Sequence, residues 1–219
     1  MSKKTLSYLG LCLLCVIVIK FIVLKPKQKD TSLTNLINHF EKESLSKGVI
    51  DNTFCSHETN GIGKSKGLKI KLFYPCEWEI LDGERKSIVI KFQSKEKESY
   101  MATSNLIINE FPKPLTKEQI QFITSFEGVR KTFASSGELT SVEKTTIDGL
   151  EAAEFTLISK ITPEIISYTL HYYIPYRNKG IALTYTAMAQ SQREAKNTFD
   201  SKINQFKILA HKTKIRDAD

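Results

Sequence analysis

The first 29 residues of the chain contain no aspartate or glutamate, although acidic residues are frequent afterwards. The same segment carries six lysines, which are Lys3, Lys4, Lys20, Lys25, Lys27 and Lys29. From Asp30 onward 26 basic residues stand against 24 acidic ones, so most of the formal net charge of +8 belongs to the N-terminal segment. A nucleic-acid-binding domain would carry its positive charge on the folded body. The distribution therefore argues against a nucleic-acid partner and favours contact with anionic lipid head groups.

The apolar run TLSYLGLCLLCVIVIKFIVL, residues 5–24, is not followed by the small residues that a signal-peptide cleavage site requires. Lipoprotein processing would need a small residue directly before the modified cysteine, where this chain has Leu11 and Leu14. Twenty residues are about the length that a helix needs to cross ~30 Å of hydrocarbon. Only Lys20 interrupts the run, and its long side chain can extend to the interface. We therefore predict an uncleaved signal anchor, whose orientation stays open because lysines flank it on both sides.

The sequence also lacks the short motifs of common enzyme classes. It has no phosphate-binding glycine loop, no Gly-x-Ser-x-Gly elbow and no His-Glu-x-x-His pair. Cys55, His57 and Glu58 are residue types of a cysteine nucleophile, its base and an orienting group, but neighbours on a loop point in different directions. No second closely spaced ligand pair would complete a tetrahedral metal site with them. We therefore predict a protein that is not an enzyme and holds no metal and no cofactor.

Cysteine is scarce, with four residues in 219. Cys12 and Cys15 fall inside the apolar run, where small lipid-facing residues are the simplest interpretation. Cys55 and Cys76 lie outside it, and two alternatives remain for them. If the domain is exported, a disulfide would close a ring of ~22 residues and add about 3 kcal/mol in the chain-entropy model. Otherwise they are two unpaired buried thiols.

Hydrophobic periodicity predicts the secondary structure beyond the membrane segment. Residues 30–48 have the apolar spacing of an amphipathic helix, and residues 51–66 are rich in Asn, Ser and Gly and are expected to form a loop. Period-two segments predict strands, and one longer helix is expected after Thr116 and another after Ser191. The predicted strands are 68–74, 78–81, 87–94, 104–111, 140–147, 150–159, 165–176 and 181–189. Strands joined by turns indicate an α+β fold with a central antiparallel sheet flanked by helices.

Several short patterns resemble the PsbP-like family. They are Gly67-Leu68, Tyr74-Pro75, Trp78, Ile90, Phe92, Asp148-Gly149, Ala152 and Tyr172-Tyr173-Ile174. The resemblance implies an α/β/α sandwich over residues 66–210. We expect this domain to be preceded by the anchor and spacer at 1–29 and by the helix and loop at 30–65. A polar tail is expected at 211–219. The family includes binding proteins without a common catalytic motif, so no functional residue carries over. It also implies a bacterial exported protein, here attached to the inner membrane with a periplasmic or other extracytoplasmic domain.

Two groups of residues are candidates for a binding site. Lys64, Lys66, Lys69 and Lys71 could contact an anion or an acidic partner, or Lys69 and Lys71 could protect a sheet edge from pairing with other chains. Trp78, Tyr172 and Tyr173 could line a ligand cleft, or they could belong to the core. The leading functional hypothesis is an accessory domain that binds another envelope protein. The alternative is a small-molecule or lipid carrier with a pocket between sheet and helices.

Overall fold

The computed structural model describes residues 54–83, 85–95 and 100–218, which lie within one compact unit from Ile50 to Asp219. Its strands are β1 (Phe54–Glu58), β2 (Leu68–Pro75), β3 (Glu79–Asp82), β4 (Ile88–Gln93), β5 (Tyr100–Glu110), β6 (Glu138–Ile147), β7 (Leu150–Lys160), β8 (Ile166–Tyr176), β9 (Lys179–Ala189) and β10 (Lys214–Asp217). Its α-helices are α1 (Lys117–Ile123), α2 (Phe126–Phe133) and α3 (Gln192–Lys212). The prediction of an α+β fold with antiparallel strands is confirmed.

The strands form two antiparallel sheets in the described part of the chain. The larger sheet has the order β3-β4-β5-β9-β8-β7-β6, and the smaller one has the order β1-β2-β10. Residues 54–58, predicted as loop, and residues 214–217, predicted as polar tail, are the outer strands of the smaller sheet. The sequence did not reveal either strand, because both are short and only their pairing with β2 makes them strands.

The main core lies between the inner face of the larger sheet and a layer made of α3 and the smaller sheet. Period-two alternation places Leu68, Ile70, Leu72 and Tyr74 of β2 in this core, as the sequence predicts. Helix α3 begins after Ser191, whose side chain accepts a hydrogen bond from the backbone N–H of Glu194, as predicted. Its buried residues include Ala195, Phe199 and Phe206, so one face of the helix closes the core.

A second apolar cluster lies on the opposite face of the larger sheet, where Val129 of α2 packs near Phe155 and Tyr173. The sequence predicted one helix here, but the structure has two. Ser125 caps the new helix by accepting a hydrogen bond from the Gly128 N–H. Phe126 is consequently 59% exposed, although the apolar spacing of a single helix would place it on the same buried face as Val129.

The predicted anchor at residues 5–24 and the predicted amphipathic helix at 30–48 lie outside the described residues. Among the helices that the structure describes, none combines the length and the apolar character that crossing a bilayer requires. The signal anchor and the division of the chain into four segments therefore stay predictions.

Candidate functional site

The corner between β1 and β2 contains the two cysteines outside the apolar run. Cys55 lies opposite Tyr74 in the β1–β2 ladder, and Cys76 follows Pro75 at the end of β2. The structure joins Cys55 and Cys76 in a disulfide, with their Cα atoms 4.9 Å apart. A bonded sulfur is not available as a nucleophile, and the His57 ring packs edge-on against Phe92. This corner therefore braces the fold instead of forming a catalytic pair.

The three aromatic residues considered for a cleft do not share one. Trp78 is 7% exposed in the turn before β3 and packs against Phe206 of α3. Tyr172 and Tyr173 are consecutive residues of β8, so they point to opposite faces of the larger sheet. Tyr172 lies beneath α3, and Tyr173 lies beside Phe133 of α2. All three are core residues.

The four lysines divide into two pairs. Lys64 contacts Asp82 at 3.0 Å, and Lys66 contacts Glu110 at 3.5 Å, so both lie beside carboxylates of the larger sheet. Lys69 and Lys71 project from the outer face of β2. Because β2 is the central strand of its sheet, the interpretation that they protect a sheet edge is wrong.

A group of titratable side chains that the sequence did not reveal converges beneath α3. Glu154 and Tyr172 are neighbours across β7 and β8, Lys207 forms a salt bridge with Glu154, and the His211 ring lies 5.7 Å from the Tyr172 ring. Burial, together with the Glu154 carboxylate, raises the pKa of Tyr172, and burial lowers the pKa of His211. Glu154 and Tyr172 are buried, so a substrate could reach them only if α3 moved away.

The space between the larger sheet and α3 is a cavity of about 30 Å³, lined by residues that include Tyr172, Tyr185 and Phe206. This volume holds one or two water molecules. Pockets for small molecules occupy some 300–1,000 Å³. The cavity that the described residues line between this sheet and this helix is therefore too small for the lipid or small molecule of the carrier hypothesis.

The larger concavity is an open groove of about 430 Å³ between the end of β1, the loop that follows it, and the β3–β4 hairpin. We call it the β1–β3 groove; its lining residues include His57, Ile62, Lys64, Ile80, Asp82 and Ile90. Two of its apolar side chains are in water, since Ile62 is 76% exposed and Ile80 is 43% exposed. Both β1 and β3 are edge strands. Exposed apolar groups beside unpaired strand edges are typical of surfaces that bind other polypeptides.

His171 lies on the face of the larger sheet that packs against α2, and its titration provides a test of the packing on that face. Its ring stacks on Phe155 at 4.7 Å between centroids and lies 5.9 Å from the Phe133 ring. Burial lowers the pKa of His171 from 6.5 to about 4. Between pH 6.5 and pH 4 the folded state therefore binds fewer protons than the unfolded state. The free energy of unfolding falls as the pH is lowered through this range.

We expect protonation of His171 in the unfolded chain to lower the free energy of unfolding by about 2 kcal/mol when the pH falls from 7.5 to 5. Urea unfolding at the two pH values measures the loss. The His171→Phe variant keeps an aromatic ring and removes the titration, so its loss should be smaller by that amount. Equal losses in the two proteins would show that His171 is hydrated in the folded state.

Three or more side chains that could hold a metal ion do not cluster anywhere in residues 54–83, 85–95 and 100–218.

The architecture defines a class of α+β domains in which helices cover both faces of an antiparallel sheet. Among solved structures, the chain is similar to the solution structure of cyanobacterial PsbP (CyanoP) from Synechocystis sp. PCC 6803, with a TM-score of 0.50 and 16% identity over 77% of this chain and 96% of that chain. The domain therefore has the PsbP-like fold, as the resemblance in the sequence implied. The crystal structure of LpqN, involved in cell envelope biogenesis of Mycobacterium tuberculosis, gives a TM-score of 0.48 and 14% identity over 78% and 96% of the two chains. No family model and no curated protein matches the sequence.

Proposed function

We propose that this protein is a membrane-anchored, non-catalytic accessory domain that binds another envelope protein through the β1–β3 groove. The observation that carries the proposal is the pair of isoleucines, Ile62 and Ile80, held in water on the walls of a groove between two strand edges. In the cluster of titratable groups beneath α3, Glu154 and Tyr172 are buried, which favours binding over catalysis.

The proposed location outside the cytoplasm is supported by the sequence and by the disulfide. The apolar run at residues 5–24 has the length of a membrane span. The Cys55–Cys76 disulfide is of a kind that persists in oxidising compartments such as the bacterial periplasm. Together they favour a bacterial inner-membrane protein with a single span and a periplasmic domain.

Site-specific photo-crosslinking in membranes of the native cells tests the groove. A photoreactive residue in place of Ile62 should give a discrete protein adduct. We expect Ile80→Lys to lower its yield about tenfold, since an isoleucine that is buried on binding contributes roughly 1.5 kcal/mol or more.

Ile161 supplies the matched control, because it is 57% exposed on the turn between β7 and β8, away from the groove. A photoreactive residue at Ile161 should not give the adduct, and Ile161→Lys should not lower the yield at Ile62. The same adduct from both sites, or none from Ile62, would contradict the assignment of the groove.

A further inference from the structure

The cavity of about 30 Å³ between the larger sheet and α3 has hydroxyl-bearing residues on more than one of its walls. Tyr172 of β8 and Tyr185 of β9 line it from the sheet. Ser104 of β5 also lines it and lies directly opposite Tyr185 in the β5–β9 ladder, so the two side chains share the inner face of the sheet. Thr213, the residue that ends α3, lines it from the side of the helix. The cavity is therefore polar in part, although it lies inside the main core.

The hydroxyl groups of Tyr172 and Tyr185 are buried and have no hydrogen-bond partner among the residues that the structure describes. Both tyrosines are only 2% exposed, so bulk water does not reach them in the folded state. A buried hydroxyl that forms no hydrogen bond destabilises the fold, because it has lost the bonds that it makes to water in the unfolded chain. Two such hydroxyls on the walls of one cavity indicate that their partner binds inside that cavity.

The size of the cavity limits what that partner is. A buried water molecule needs about 10–15 Å³ and two to four polar neighbours. The volume of about 30 Å³ meets the first requirement for one or two water molecules and excludes larger ligands. The second requirement is met by the tyrosine hydroxyls together with those of Ser104 and Thr213. Thr213 donates its own proton to the Leu209 carbonyl at 3.4 Å, which leaves its oxygen free to accept a hydrogen bond.

We propose that this cavity is a specific hydration site, in which one or two water molecules bind the hydroxyl groups of Tyr172 and Tyr185. The bound water connects β8 and β9 with the end of α3 through hydrogen bonds. The site is separate from the β1–β3 groove, and the inference does not depend on membrane attachment or on a protein partner.

The sign of a stability change provides the first test. Tyr185→Phe removes the hydroxyl and keeps the ring that stacks on Phe206. If water binds the hydroxyl, the variant loses a hydrogen bond, and the thermal midpoint of the full chain in detergent micelles should fall by about 3 °C. A midpoint that is unchanged or higher would overturn the proposal, because removal of an unpartnered hydroxyl does not destabilise the fold. Tyr185 is more decisive than Tyr172, since Glu154 lies directly opposite Tyr172 and offers its hydroxyl a second acceptor.

Oxygen-17 magnetic relaxation dispersion provides the second test, because its amplitude counts the water molecules that stay bound longer than the protein takes to tumble. The native full chain and the double variant Tyr172→Phe with Tyr185→Phe are compared in the same micelles. We expect the amplitude of the double variant to be smaller by the contribution of one or two water molecules. Hydration elsewhere in the chain is common to both proteins and cancels in the difference.

Tyr168 supplies the matched control on the same face of β8. It is buried, it is not among the residues that line the cavity, and its hydroxyl accepts a hydrogen bond from Gln192 Nε2 at 3.2 Å. Tyr168→Phe should therefore leave the dispersion amplitude unchanged. Equal amplitudes in the native chain and the double variant would overturn the proposal. An equal decrease in Tyr168→Phe would also overturn it, since the lost water would then reflect a general loosening of the core.

Discussion

Replacing Phe206 with alanine is expected to lower the free energy of unfolding by about 4 kcal/mol, the largest effect that we predict for this protein. Phe206 is 6% exposed on the inner face of α3, and its ring stacks on Tyr185 at 3.6 Å and lies 5.4 Å from the Trp78 ring. It also lines the cavity of about 30 Å³, so removal of the ring enlarges a space that is already present. Chemical denaturation measures the loss, and the midpoint of thermal unfolding should fall by about 12 °C.

Phe126 is the matched control for Phe206. It is a phenylalanine on a helix that is 59% exposed, so Phe126→Ala should change the free energy of unfolding by less than about 0.5 kcal/mol. A loss of less than about 1.5 kcal/mol for Phe206→Ala would mean that α3 does not close the core as the structure shows.

Removal of the disulfide is expected to lower the free energy of unfolding by about 3 kcal/mol. The bond joins residues that are 21 apart in the sequence, and its absence lets the unfolded chain sample many more conformations. The double variant Cys55→Ser with Cys76→Ser should show the loss in urea unfolding. Its thermal midpoint should fall by about 9 °C.

A reducing agent distinguishes the disulfide from ordinary packing of the two side chains. Cys76 is exposed, so dithiothreitol can reach the bond in the folded protein. Reduction should lower the stability of the native sequence to that of the double variant and should not affect the variant. If reduction has no effect, Cys55 and Cys76 are unpaired thiols, and the support for an oxidising compartment disappears.

Local patterns in the sequence identified most elements of the domain correctly. Ser191 predicted the start of α3, Asp148-Gly149 predicted the turn between β6 and β7, and the alternation in β2 predicted its buried face. The break between α1 and α2 was missed, because Ser125 acts as a cap only once the chain has turned there. The groove was also missed, since neither Ile62 nor Ile80 belongs to a pattern that marks an exposed apolar residue.

The sequence by itself determined the buried faces of β2 and α3, because the periods of two and 3.6 residues are properties of a single segment. It also determined the PsbP-like fold class through the order of those segments. Only the tertiary structure decided that β1 and β10 flank β2, that Lys71 meets Lys214, and that Glu154 lies beneath Lys207 and His211. These residues are far apart in the chain, and a short polar strand becomes stable only through the partner that supplies its hydrogen bonds.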